Sequence, residues 1–350
     1  MKRVLRTLPR AAIDLRPKPQ AIRTPKLTTR HFTSASGLPL RCPSSTLTDP
    51  PRGQKASTPS RPPPRPPIEE DKHLTTGSAA TSYLGTTKRL PEFNLNDRVV
   101  LVSGAAQGLG LTQTEALLEA GATVYALDRK SEPSPDFLRI QKRAAEELGT
   151  TLHYRQIDVR NVKELNKVVE EIGDEEGRMD GLIAAAGIQQ ETPALDYTPE
   201  DANYMFETNV TGVFMTSQAV AKQMIRFGNG GSIALIASMS AHIANRGLIC
   251  PAYNASKAAV LQLARNLASE WGHPHRIRVN TLSPGYIVTA MVDALFEKYP
   301  DRRENWPTQN MLNKLSRPED FRGAAVFLVS DASRYMTGAD LRIDGGHASW

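Results

Sequence analysis

Between Pro91 and Trp350 short apolar runs alternate with amphipathic stretches, and no other feature of the chain limits its fold so strongly. "RVVLVS" precedes "TQTEALLEAG", "TVYAL" precedes "FLRIQKRAAEEL", and "LHYRQIDV" precedes "VKELNKVVEEI". "GLIAAAG" leads into a long helical stretch over "PEDANYMFETNVTGVFMTSQAVAKQMI". "SIALIAS", a helix carrying "YNASK", "IRVNTLS", a helix after Pro318 and "DLRID" complete the series. Seven strands joined by helix-length connections pair in parallel, because each crossover lays its helix on a face of the sheet. The expected fold is α/β: one doubly wound domain over 91–350 with a seven-stranded parallel sheet.

The 90 residues before it are different in kind. They hold 17 Lys/Arg against 5 Asp/Glu, a net of +12 where the whole chain carries +6, so the domain itself is mildly acidic. A nucleic-acid partner needs a basic patch interleaved with aromatics on the folded part, and none is found there. Residues 1–40 are Arg- and Ser/Thr-rich, nearly free of acids, and place Val4, Leu5, Leu8, Ile13 and Leu15 on one side of a short helix. That is the composition of a mitochondrial transit peptide, with "RHFTSA" as a processing-type site; a disordered basic tail in a cytoplasmic protein is the alternative. Residues 41–90 are too rich in proline and too poor in large apolar groups to offset ordering entropy, which predicts a disordered linker. Cys42 and Cys250, the two cysteines, have no metal-binding or disulfide spacing, and no metal is expected. No run approaches the ~20 apolar residues of a membrane span, so no membrane partner is expected either.

The chemistry-bearing motifs lie at strand ends. "SGAAQGLG" follows the first strand and opens the first helix, with Gly104, Gly108 and Gly110 placed to let backbone N–H groups approach a pyrophosphate. Asp128, closing the second strand, is positioned to accept ribose hydroxyls. Asp158, closing the third, either reaches an adenine edge or caps the next helix. Tyr253 and Lys257 of "YNASK" stand four residues apart and share a helix face.

Taken in order, the Gly-rich loop, "NVTG", a Ser-bearing strand, "YNASK" and "SPG" resemble the short-chain dehydrogenase/reductase family, from about Phe93 to Trp350. The resemblance implies a single Rossmann-type domain, a homotetramer or homodimer, and catalysis by Asn209, Ser238, Tyr253 and Lys257. It also implies a nicotinamide cofactor, NAD with NADP as the alternative. The cofactor would contact Gly104, Gln107, Gly108, Leu109, Gly110, Asp128, Asp158, Val159, Gly187, Tyr253, Lys257, Pro284, Gly285, Ile287 and Thr289. Two departures stand out: "AAAG" at Ala184–Gly187 replaces the family's Asn-Ala-Gly, and 15 residues separate Ser238 from Tyr253, which leaves Ser238 and Ser240 both open as the serine.

The residue types suit proton transfer. A free phenol, with pKa ~10, is a poor base at neutral pH. Lys257 and a cationic nicotinamide are expected to lower that value so that Tyr253 exchanges a proton with the substrate oxygen. Ser238 would hold that oxygen, and Asn209 would bind a water relaying protons from Lys257.

For the substrate, Gln189, Gln190, His242, Asn245, Arg246, Asn254 and Tyr286 are expected to line the pocket, a polar set suited to several hydroxyls. "YNASKAAV", "IRVNTLSPGYI" and "DGG" resemble the branch of D-arabinitol 2-dehydrogenases and related polyol dehydrogenases. The expectation is therefore a pentitol or hexitol interconverted with its ketose. A mitochondrial 3-oxoacyl-thioester reductase or 3-hydroxyacyl dehydrogenase is the alternative, and a non-catalytic dinucleotide-binding protein a third reading.

Overall fold

In a computed structural model, which describes residues 90–350, the seven expected strands form one parallel sheet in the order β3-β2-β1-β4-β5-β6-β7. The strands are β1 (Val99–Ser103), β2 (Thr123–Asp128), β3 (Leu152–Gln156), β4 (Gly181–Ala184), β5 (Gly231–Ile236), β6 (Ile277–Pro284) and β7 (Asp340–Ile343). The expected transit peptide and linker lie outside the described residues.

The helices fall where the periodicity changes. They are α1 (Gly108–Glu119), α2 (Pro135–Arg143), α3 (Val162–Glu176), α4 (Pro199–Phe206), α5 (Val213–Phe227), α6 (Pro251–His275), α7 (Ala290–Lys298), α8 (Pro300–Asn305) and α9 (Arg322–Val329). Among the described residues no helix is long and apolar enough to cross a membrane.

Every residue of β1 and β4 is buried, as a strand covered on both faces must be. Alternate side chains enter two separate cores. Leu101 and Leu182 meet α3, α5 and α6 residues such as Val169, Val220 and Val260 on one face, while Val100, Val102 and Ile183 meet Leu117, Ala325 and Leu328 on the other. Strand order reverses between β1 and β4, so a crevice opens at the carboxyl ends of these strands, where such sheets take ligands.

The long helix before β5 is interrupted. Between α4 and α5 the backbone makes a π-helical turn over Glu207–Gly212, so the helix runs on with a local change of pitch at "NVTG". Such turns re-aim a side chain and are frequent at functional sites.

Candidate active site

Pro251 fixes the first turn of α6, and from that turn Tyr253 and Lys257 project together toward the end of β5. The Lys257 ammonium, 5 % exposed, donates to the carbonyl of Ile236 at 2.8 Å and sits 5.7 Å from the Tyr253 ring centroid. Beyond Ile236 the chain continues to Ser238, in extended conformation, whose hydroxyl is close enough to the Tyr253 phenol to act on its titration. Ser238 Oγ also accepts from Ser240 N at 3.1 Å, capping the short turn Met239–Ala241. Ser240 thus supports the turn, and Ser238 is the serine that faces the tyrosine.

The π-helical turn buries Asn209 completely. Its Oδ1 accepts from Ile188 N at 2.8 Å, and its Nδ2 donates to Ile188 O at 2.9 Å and to Ser256 Oγ at 3.0 Å. A side chain at Gly187 would place its Cβ 3.3 Å from Asn209 Oδ1 and 3.5 Å from Lys257 Nζ. The structure therefore brings Asn209, Ser238, Tyr253 and Lys257 into one site, with Asn209 bridging the β4 loop to α6.

Burial governs the titration here. It raises the Tyr253 phenol to about 12, against the lowering by Ser238, and pulls Lys257 down to about 8. Without a nicotinamide beside it the phenol is thus held up by desolvation of its phenolate, and the lowering expected from Lys257 together with a cationic nicotinamide belongs to the cofactor-bound protein.

The Gly-rich loop meets the physical requirements of a dinucleotide phosphate cradle. Gln107, the N-cap of α1, offers no side-chain hydrogen bond to that helix end, and a Cβ on Gly108 would meet open space. Free N–H groups and the positive end of the helix dipole face that space, which suits a pyrophosphate. At Gly110 a Cβ would lie 2.3 Å from Gly104 O, so only glycine lets α1 approach the loop this closely. Ser103 Oγ accepts from Ala186 N at 3.2 Å, locking the Gly-rich loop to "AAAG" where the family's asparagine is absent.

Asp128 stands at the mouth of the loop, accepting from Ala106 N at 3.0 Å and from Lys130 N at 3.2 Å. The Asp158 carboxylate is forked by Arg160 at 2.6 and 3.0 Å, and this pairing lowers its pKa. The capping alternative for Asp158 is corrected, since Asn161 is the residue that caps α3. Asp158 instead joins Arg129, Gln156, Ile157, Arg160 and Glu164 around a hollow beside the β2 and β3 ends, and Val159 next to it is buried. Leu109 lies half-buried on α1. Pro284 ends β6 and Gly285 follows; Ile287 bridges to Ser316, and Thr289 Oγ1 accepts from Val292 N at 3.4 Å at the start of α7.

The expected substrate lining is only partly assembled. Tyr286 and Tyr253 pack against the same apolar cluster, and the buried Asn245 reaches the Tyr286 hydroxyl at 3.5 Å. His242 turns away to Asp340 at 3.0 Å, Arg246 is exposed, and Asn254 is spent bracing Ile243 O and Asn245 Oδ1. Asn254 thus holds the Ser238-to-Tyr253 loop together, and His242 ties that loop to β7. Gln190 bonds Thr192 Oγ1 at 3.2 Å, and Gln189 is exposed.

A wall unforeseen from the sequence faces Tyr253 instead. Leu248, Cys250, Phe296 and Trp306 form a buried cluster against Tyr253 and Tyr286, with Trp306 stacked 4.1 Å from Tyr286. Burial raises the Cys250 thiol to about 11, so it packs as an apolar group. The aromatic content of "LFEKYPDRRENWP", inside a long connection, was the signal for this lid.

A family model described as Enoyl-(Acyl carrier protein) reductase matches residues 104–348. Over 262 residues the chain is 38% identical to a short-chain dehydrogenase/reductase, notP', of Aspergillus versicolor, covering 74% of this chain and 89% of the relative. It is 32% identical to a D-arabinitol 2-dehydrogenase [ribulose-forming] of Candida tropicalis, covering 77% and 99%. It is 36% identical to a galactitol 2-dehydrogenase of Rhizobium johnstonii, covering 74% and 98%.

Proposed function

The chain belongs to the short-chain dehydrogenase/reductase family and is an oxidoreductase acting on CH–OH groups, and from that premise we propose that it interconverts a pentitol or hexitol with its ketose using NAD. The observation that carries the reaction class is the placing of Ser238 beside Tyr253, where it lowers the phenol's pKa, with the buried Lys257 ammonium one turn on. The names of the arabinitol and galactitol relatives support the substrate class; the acyl-thioester alternative draws nothing from them.

A bound nicotinamide supplies the hydride acceptor for oxidation and the donor for reduction. The chain's own residues manage the proton and the geometry. Ser238 and Tyr253 present two hydroxyls to one substrate oxygen, which fixes the reacting carbon. Oxidation releases one proton: Tyr253, as phenolate, takes it from the alcohol, and neutral Lys257 is the next base toward solvent. Reduction runs the same path backward, from protonated Lys257 through the Tyr253 phenol. Asn209, by gripping Ile188, keeps the β4 loop clear of this path.

Preference for NAD is attributed to Asp128, whose carboxylate would repel a 2′-phosphate. The neighbouring cations are engaged elsewhere: Arg129 bonds the Tyr204 hydroxyl at 3.1 Å and Lys130 the Gln107 amide at 2.5 Å. Specificity constants for D-arabinitol, galactitol and sorbitol with each dinucleotide test both statements. Higher values with NADP would reassign the preference to Arg129, and turnover of acetoacetyl thioesters far above that of ribulose or xylulose would overturn the polyol reading.

A further inference from the structure

The lid over Tyr253 is an excursion pinned at its base and at its tip. At the base, Ile287 pairs with Ser316, Val288 N donates to Ser316 O at 2.8 Å, and Ser316 N donates to Tyr286 O at 3.1 Å. Between these points α7 and α8 bring Phe296 and Trp306 down onto Leu248 and Cys250. At the tip, the Arg302 guanidinium forks onto the carboxylate of Glu191, with one bond at 2.9 Å and a second beside it.

Glu191 lies on the opposite wall, in the loop after β4. That loop is itself held: Thr192 N donates to Ile249 O at 3.1 Å, one residue before Cys250. Arg302 is further framed by the Tyr299 ring at 4.2 Å and the Trp306 ring at 5.6 Å, and its side chain is 12% exposed against 29% for Glu191. The pair therefore borders the same aromatic wall that covers the catalytic tyrosine. Both charges also act on the Tyr286 hydroxyl, with opposite sign.

A guanidinium presents a planar fork that matches a carboxylate. Glu191 fills that fork with the protein's own carboxylate, so the pair at this edge of the aromatic wall carries no net charge. We propose that Glu191 is a specificity-determining residue that neutralises Arg302, so that the cleft admits neutral polyhydroxy substrates and rejects those ending in a carboxylate. This deepens the polyol reading and rests on it. An acidic substrate would have to displace Glu191 from Arg302, so that one carboxylate is left without the guanidinium's fork.

The test is calorimetric titration of the full chain, with NADH present so that no hydride acceptor is available, using gluconate as the acidic probe and sorbitol as the neutral one. Glu191→Ala should tighten gluconate binding at least fivefold and leave sorbitol within twofold. Glu191→Ala/Arg302→Met should lose that gain, since the cation is then gone. A gluconate gain under fivefold, or one that persists in the double variant, overturns the proposal. Should Glu191→Ala not fold by thermal unfolding, Glu191→Gln is read by the same fivefold criterion. The polyol reading fails separately, by absence of turnover with pentitols and hexitols, whichever way the gluconate affinities move.

Discussion

The Lys257 ammonium donates its 2.8 Å hydrogen bond to the carbonyl of Ile236, the last residue of β5, from a position almost closed to solvent. One carbonyl replaces most of a hydration shell, and the cation is destabilised: its pKa falls to about 8.

That depression makes stability depend on pH with a definite sign. The unfolded chain holds the proton up to the ordinary value of ~10.4 and the folded chain only to about 8, so folding is penalised below pH 8 and the penalty lifts as pH rises. Between pH 7.5 and 9.5 the parent should gain roughly 2 kcal/mol relative to Lys257→Met. Urea unfolding at both pH values measures the difference; a constant difference would show that Lys257 is not held this way.

The same group sets a limb of the rate profile. Oxidation needs Lys257 neutral and reduction needs it protonated, so kcat/KM for oxidation should climb through about pH 8 while that for reduction declines. Parallel profiles in the two directions would remove Lys257 from the proton path.

Tyr253→Phe removes one hydroxyl and leaves the aromatic wall in place. Turnover should drop by two to four decades, the range for losing general acid–base catalysis, with dinucleotide affinity nearly unchanged by fluorescence titration. Activity within tenfold of the parent would remove the tyrosine from its role.

Gly110→Ala forces a methyl against Gly104 O, 2.3 Å from the ideal Cβ position, and the carbonyl belongs to backbone that cannot simply rotate away. The Gly-rich loop and α1 must separate. Dinucleotide affinity should fall at least tenfold, while Gly108→Ala, limited by its φ of 60° rather than by contact, should lose less. Equal losses would mean that backbone conformation, not close approach, sets the loop.

For residues 1–32 we propose mitochondrial targeting. Fused to a fluorescent protein they should carry it to mitochondria and be removed near Phe32. A diffuse reporter would leave the disordered-tail alternative.

The fold was legible because its information is local and repeated. Seven apolar runs such as "RVVLVS" and "DLRID" each announce a strand, helix-length connections force parallel pairing, and turn residues such as Gly104 mark the strand ends. The chemistry of Tyr253 and Lys257 was legible for the same reason, since four residues on one helix are one turn in any fold. Only the tertiary structure decided what surrounds them. Whether Ser238 or Ser240 faces the phenol depends on how the chain leaves β5, and whether His242 meets substrate depends on Asp340, 98 residues away. The phenol's pKa follows from burial by Leu248, Cys250 and a lid whose Phe296 and Trp306 arrive from more than 40 residues downstream. Side-chain identity specifies which bonds a group can make; desolvation and long-range pairing, which no window of sequence contains, determine which of them it makes.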